Sequence, residues 1–391
     1  MPKPVIVSAA RTAIGRSFKG SLVNTPAEVL AITVLQESVR RAGIDPTTVD
    51  DVIFAESHYG GGDLARYAAV ASEMTDVPGQ AVNRHCAGSL TAVGDAAAQI
   101  GAGMERVVVA GGVQSLSTGP VMKWRIPGPT LEFEDRWMPA SHPETQDAPP
   151  RDMSITVGWN TAKAVGITRE EMDAWALRSH QRAVAAIDAG KFVDEIVPLK
   201  ITGLDGALVD FSVDEHPRRD STMEKMASLP VLHPEIDGFS ITAGNSSGTN
   251  DAAAALTLVA DDHAVSEGLT VMGTVKAWAA AGVQPKDTGL GAVRVIGKVL
   301  QRAGLSPAEV TLWEINEAFA SVPIAACREY GLDEALVNFY GSGCSLGHPI
   351  AASGARMLTT LVYELRRRGG GIGVAAMCAG GGQGGAVVIE V

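Results

Sequence analysis

The phrase Arg41-Ala42-Gly43-Ile44-Asp45-Pro46-x-x-Val49 returns as Arg302-Ala303-Gly304-Leu305-Ser306-Pro307-x-x-Val310, displaced by 261 residues (41 to 302). Self-similarity of this kind restricts the chain to folds built from two like units. Each copy reads as an amphipathic helix stopped by Gly, a Pro turn, and a short apolar strand over residues 52–55 or 312–315. The same displacement carries Cys86 to Gly347, next to His348. Apolar residues at helical spacing follow both corners, and each helix leads to a strand ending in glycines, 107–112 and 372–382.

The material between the copies has another texture. Residues 119–150 hold seven prolines and little periodicity, which reads as an irregular loop region. Order resumes at Thr168-x-x-Glu171, a capping box that opens a helix ending before Gly190. The expected organisation is therefore a first α/β half over 1–118, an inserted loop domain over 119–249, and a second half over 250–391.

With 46% hydrophobic residues, 19% charged residues and a net charge of −12, the chain is neither disordered nor built to hold nucleic acid. Its four cysteines, 86, 327, 344 and 378, show no paired metal spacing and are too sparse for a disulfide scaffold. No run approaches the length of a membrane span, Arg11 interrupts the N-terminal apolar stretch, and the final Val-Ile-Glu-Val is no peroxisomal signal. A cytoplasmic protein is the expectation.

Four segments bring reactive side chains to turns. Cys86 precedes a helix, where the macrodipole and free N–H groups favour thiolate. His348, in Gly347-His348-Pro349 on a Gly-rich turn, suits a general base. Cys378 leads into Gly380-Gly381-Gly382, whose small residues admit a ligand close to the backbone. Asn316, ending the second-copy strand, is placed to hold a water or to cap a helix. His85 would point to the opposite face from Cys86. The glycines 380, 382 and 385 mimic a dinucleotide motif, but only a short terminal strand follows. Gly244-Asn245-Ser246-Ser247-Gly248 matches a hydrolase elbow, with an apolar strand before it and an Ala-rich helix expected after it. A serine hydrolase using Ser246, with Asp333 and His348, is thus the competing reading.

Taken together, the Cys86 loop, Ala243-Gly244-Asn245-Ser246-Ser247-Gly248-x-Asn250-Asp251, Asn316-Glu317-Ala318-Phe319, Gly347-His348-Pro349 and Cys378-x-Gly380-Gly381-Gly382 resemble the thiolase family, in family order and across almost the whole chain. The resemblance implies two βαβαβαββ halves in a five-layered α/β arrangement, with a loop domain inserted from the first half. It implies that Cys86 takes the acyl group from a CoA thioester, activated by His348, while Cys378 exchanges the α-proton of the second substrate. It assigns one oxyanion hole to His348 with a water held by Asn316, and the other to the N–H groups of Cys86 and Gly380. Ser247 matches a pantetheine contact and Arg218 a phosphate contact, and Ala243, Ala318 and Phe319 complete the CoA-binding set. CoA enters as substrate, with no further cofactor, and a homodimer or dimer of dimers is implied. Thr288 and the 153–163 stretch depart from short-chain biosynthetic members near the acyl group, while the catalytic set is intact. A non-catalytic acyl-CoA-binding relative is the third reading.

Overall fold

The computed structural model describes residues 1–59, 62–135, 138–203 and 205–391. The first half supplies strands β1 (Pro4–Thr12), β2 (Asp51–Glu56), β3 (Gly79–Val82), β4 (Val107–Gln114) and β5 (Asn250–Ala260), with helices α1 (Ala27–Ala42), α2 (Leu64–Ala71) and α3 (Gly88–Gly101). An inserted segment carrying helix α4 (Arg169–Asp188) separates β4 from β5. The second half supplies β6 (Gly273–Gly282), β7 (Leu312–Ile315), β8 (Ile372–Ala379) and β9 (Gln383–Glu390), with α5 (Leu290–Ala303), α6 (Ser321–Tyr330) and α7 (Ser353–Arg367).

Strand order runs β7-β8-β9-β6-β1-β5-β4-β2-β3, so the two halves are related about the β6/β1 junction, where Val5 pairs with Thr274. The repeated phrase is a real structural unit. α1 ends at Gly43 with φ +71° and α5 at Gly304 with φ +68°, the left-handed helix stop that glycine adopts without a Cβ penalty. Asp45 then caps one following turn through the Thr47 N–H, and a Ser306/Glu309 capping box closes the other.

The apolar core divides into three clusters. One lies under α1 and α2 and one under α5 and α6, while the third holds Leu90, Val93 and Ala96 of α3 against Leu358, Leu361 and Val362 of α7. Helix, sheet, central helices, sheet, helix gives five layers. The central pair touches sheet on both sides, which is why α3 is buried almost all round and is built from small residues.

Two expectations need correction. The segment from Asn250, assigned by sequence to the second half, is β5 and lies between β1 and β4, so the first half closes only after residue 260. It is also a strand where a helix was expected after the Gly244–Gly248 loop; all eleven of its residues are buried, and inside a sheet covered on both faces alanines are read by burial, not by helix propensity. Second, α3 and β4 begin at Gly88 and Val107, and their counterparts at Ser353 and Ile372, an offset of 265 (88 to 353, 107 to 372). The second corner is thus four residues longer, Cys86 corresponds to Ala351, and His348 sits on the extra turn.

The insertion is tied to the first half by a buried ion network. Arg11 Nε donates to Glu195 at 2.7 Å, and its two terminal nitrogens donate to Asp214 at 2.8 and 2.9 Å.

Candidate active site

Three corners converge on one cavity of about 260 Å3. Cys86 enters from the β3–α3 turn, His348 from the loop before α7, and Cys378 from the end of β8, where it pairs with Gly384 of β9. Ala318, Phe319 and Gly380 line the same space, as do Leu116, Met153, Val157 and Ile350. Gly112 makes this approach feasible, because a Cβ there would stand 2.0 Å from the Ala351 carbonyl oxygen, on the His348 loop.

The Cys86 corner is locally strained. His85 sits at φ +46°, a region side chains other than glycine seldom occupy, and its N–H is held by Asn83 Oδ1 at 2.8 Å. A Cβ on Gly380 would lie 3.4 Å from the His85 ring, so that ring packs against the glycine turn. The backbone N–H groups of Cys86 and Gly380 both reach the Cys86 sulfur and favour its thiolate. Burial outweighs them and pushes the thiol up to about 11, although the residue keeps partial exposure. The N–H groups at the helix terminus thus favour the thiolate, as the sequence suggests, while burial keeps Cys86 a thiol at rest. Cys378 is pushed well above the ordinary thiol range by burial and by the neighbouring Cys86.

His348 is held on all sides. Its backbone N–H donates to Asn250 Oδ1 at 3.0 Å, and its Nδ1 lies 2.6 Å from Ser353 Oγ. Gly347 takes φ +101°, and a Cβ there would stand 2.5 Å from the Asn250 amide. Burial, then the charge of Arg356, holds the imidazole at about 3, so the ring is neutral near pH 7. Asn316 is fully buried beside this ring, its Nδ2 at 3.4 Å from both ring nitrogens. Its Oδ1 has no hydrogen-bond partner among the described residues, the state expected of a group that holds water or substrate.

A second, outer space of about 580 Å3 shares Ser247, Gly248 and Thr249 with the cavity, so the two adjoin at this segment. Ala243 and Arg218 line this outer part together with Arg16, Lys19 and Lys225. Lys225 is paired to Asp220 at 2.5 Å, whereas Arg16, Lys19 and Arg218 have no carboxylate partner among the described residues. A cationic mouth thus exists on an acidic chain.

Thr288, singled out by sequence as an acyl neighbour, is not there. Its hydroxyl donates to the Pro285 carbonyl at 2.6 Å and accepts the Gly382 N–H at 3.0 Å, anchoring the glycine turn from behind. The hydrolase arrangement is likewise unmet. Ser246 Oγ donates to the Thr242 carbonyl at 2.6 Å, a strand follows instead of a helix, and the group at His348 Nδ1 is a serine, not a carboxylate. Sequence reasoning missed Asn250, Ser353, Leu116 and Ile350. Asn250 stood inside a quoted motif, and the other three carried no signal apart from their place in the fold.

No helix among the described residues is long and apolar enough to cross a membrane, and no group of three or more of their His, Cys, Asp and Glu side chains is arranged to hold a metal ion. Residues 4–262 match the model of the thiolase N-terminal domain and residues 269–391 that of the C-terminal domain. The acetyl-CoA acetyltransferase of Escherichia coli (strain K12) is 41% identical over 100% of this chain and 99% of its own length. The 3-ketoacyl-CoA thiolase of Bacillus subtilis (strain 168) is 36% identical, covering both chains fully (100% and 100%). The structure of the Bacillus anthracis acetyl-CoA acetyltransferase superposes with a TM-score of 0.91 at 40% identity, over 100% of this chain and 99% of that one. With both halves, the duplicated fold and the convergence of Cys86, His348 and Cys378 in agreement, the chain belongs to the thiolase family and is a thiolase-type acyltransferase.

Proposed function

We propose that the chain acts as a 3-ketoacyl-CoA thiolase on alkyl chains longer than acetyl, working through an acyl group carried on Cys86. The observation that supports the chain-length reading is the cavity wall: Leu116, Met153, Val157, Phe319 and Ile350 line the space shared with the two cysteines with apolar surface.

In thiolysis, Cys86 gives its proton to His348 as the sulfur attacks the 3-keto carbon. The bond between carbons 2 and 3 breaks, and the departing enolate of acetyl-CoA takes a proton from Cys378. His348 passes the proton it took from Cys86 to the thiolate of Cys378, accepts the thiol proton of free CoA as the CoA sulfur attacks the acyl carbon, and returns that proton to the departing Cys86 thiolate. Condensation is the same path reversed. The N–H groups of Cys86 and Gly380 face one developing oxyanion, and His348 with a water on Asn316 the other. Pantetheine lies along Ser247 and Ala243, with Ala318 and Phe319 at its inner end, and Arg218, Arg16 and Lys19 face the phosphates. Pairing of two copies belongs to this reading, supported by β3, which ends the sheet as a strand with exposed side chains.

The test is a panel of 3-ketoacyl-CoA substrates of increasing length with free CoA. Higher kcat/KM at six to eight carbons (on the order of tenfold over acetoacetyl-CoA) is expected; strict preference for acetoacetyl-CoA would contradict the proposal.

A further inference from the structure

The hydroxyl of Ser353 touches two groups, the Pro349 carbonyl oxygen at 2.8 Å and His348 Nδ1 at 2.6 Å. A serine hydroxyl has one hydrogen, and a carbonyl oxygen can only accept. With that hydrogen on the Pro349 carbonyl, which also accepts the N–H groups of Ala352 and Ser353 at 3.0 and 2.9 Å, Ser353 Oγ meets Nδ1 with a lone pair. We infer that Ser353 is a positioning residue that holds His348 as its Nδ1–H tautomer, leaving the Nε2 lone pair for the cavity that contains Cys86.

Among the described residues no other group makes this choice. Asn316 Nδ2 is equidistant, at 3.4 Å, from both ring nitrogens, and such an atom lies on neither lone-pair axis. Asn250 grips only the backbone of His348. Ser353 is fully buried at the start of α7, and its bond to Pro349 is the ordinary i to i−4 back-bond of a helical serine, so the lock is set by the helix and does not turn with solvent.

The chemistry has a consequence. A carboxylate at Nδ1 would stabilise an imidazolium, as in the Ser-His-Asp arrangement, but a hydroxyl stabilises it far less. His348 held this way accepts a proton from one thiol and releases it readily to the next, which suits a site that moves protons among Cys86, CoA and Cys378.

The inference rests on His348 being the base, and its test separates the two claims. In ligand-free protein labelled with 15N-histidine, with His348 assigned by comparison with His348→Asn, a protonated, pyrrole-type Nδ1 and a pyridine-type Nε2 are expected at neutral pH. Ser353→Ala should mix the tautomers and lower kcat by about 10-fold or more, part of the 10²–10⁴ a placed base contributes, with KM for CoA little changed. Ser353→Thr, which keeps the hydroxyl, should restore both readouts. A wild-type His348 protonated at Nε2 would overturn the inference, as would Ser353→Ala with unchanged tautomer and kcat. Should Ser353→Ala fail to fold, the wild-type spectrum decides alone. An Nδ1–H spectrum with a fully active His348→Asn variant would uphold the tautomer and remove the base.

Discussion

Asn250, the first residue of β5, accepts the backbone N–H of His348 through its side-chain oxygen at 3.0 Å and donates through its amide nitrogen to the Gly15 carbonyl at 3.0 Å. One side chain of the first half thereby sets the position of the second half's histidine. Asn250→Ala removes the side-chain acceptor of the buried His348 N–H, at a cost of about 1–3 kcal/mol. Thermal unfolding should show that loss. Thiolysis should slow by more than the fraction unfolded explains, because the imidazole loses its register against Cys86.

Alkylation of free Cys86 should report a neutral thiol. With burial holding it at about 11, the rate of inactivation by iodoacetamide should climb steadily from pH 7 to 10. A plateau already reached near pH 7 would mean a resting thiolate and imidazolium, and the burial argument would fail.

Stability should fall as pH drops below 6.5. Burial holds His180 and His216 at about 4 and His348 at about 3, while each takes up its proton near 6.5 when unfolded. Between those values the unfolded chain binds more protons, so the unfolding free energy rises with pH and is lost on acidification. For His348 the loss at pH 5 is about 2 kcal/mol. Denaturant unfolding at pH 7 and pH 5 should show a shallower difference for His348→Asn than for the unsubstituted chain.

The Arg11 network holds the insertion against β1 with both partners buried. Replacing Arg11 by Met leaves Glu195 and Asp214 as uncompensated buried carboxylates, and about 3–5 kcal/mol of stability should disappear in denaturant unfolding. Loss of less than about 1 kcal/mol would show that the network contributes little.

How much of this was legible beforehand follows the range of the forces involved. The α1 and α5 stops, the Thr168 capping box and the strand Leu312–Ile315 are set by neighbours in sequence, and they stand where periodicity and capping placed them. β5 was misread because alanine reports a helix only where solvent decides, and this segment meets none. Cys86 and His348 were visible as unusual residues on turns, but the burial that opposes thiolate formation comes from the folded layers around them. Thr288 misled for the same reason: its partner Gly382 lies 94 residues away. Ser353 and Asn250 are ordinary polar residues whose meaning exists only once the two halves close on one another.

The central claim is that the acyl group rides on Cys86. Acid quenching after brief exposure to a 3-ketoacyl-CoA, followed by peptide mass mapping, tests it most directly. The acyl adduct should appear on the peptide containing Cys86, persist in Ser246→Ala and vanish in Cys86→Ala together with turnover. An adduct on the Ser246 peptide, or full turnover by Cys86→Ala, would contradict the account.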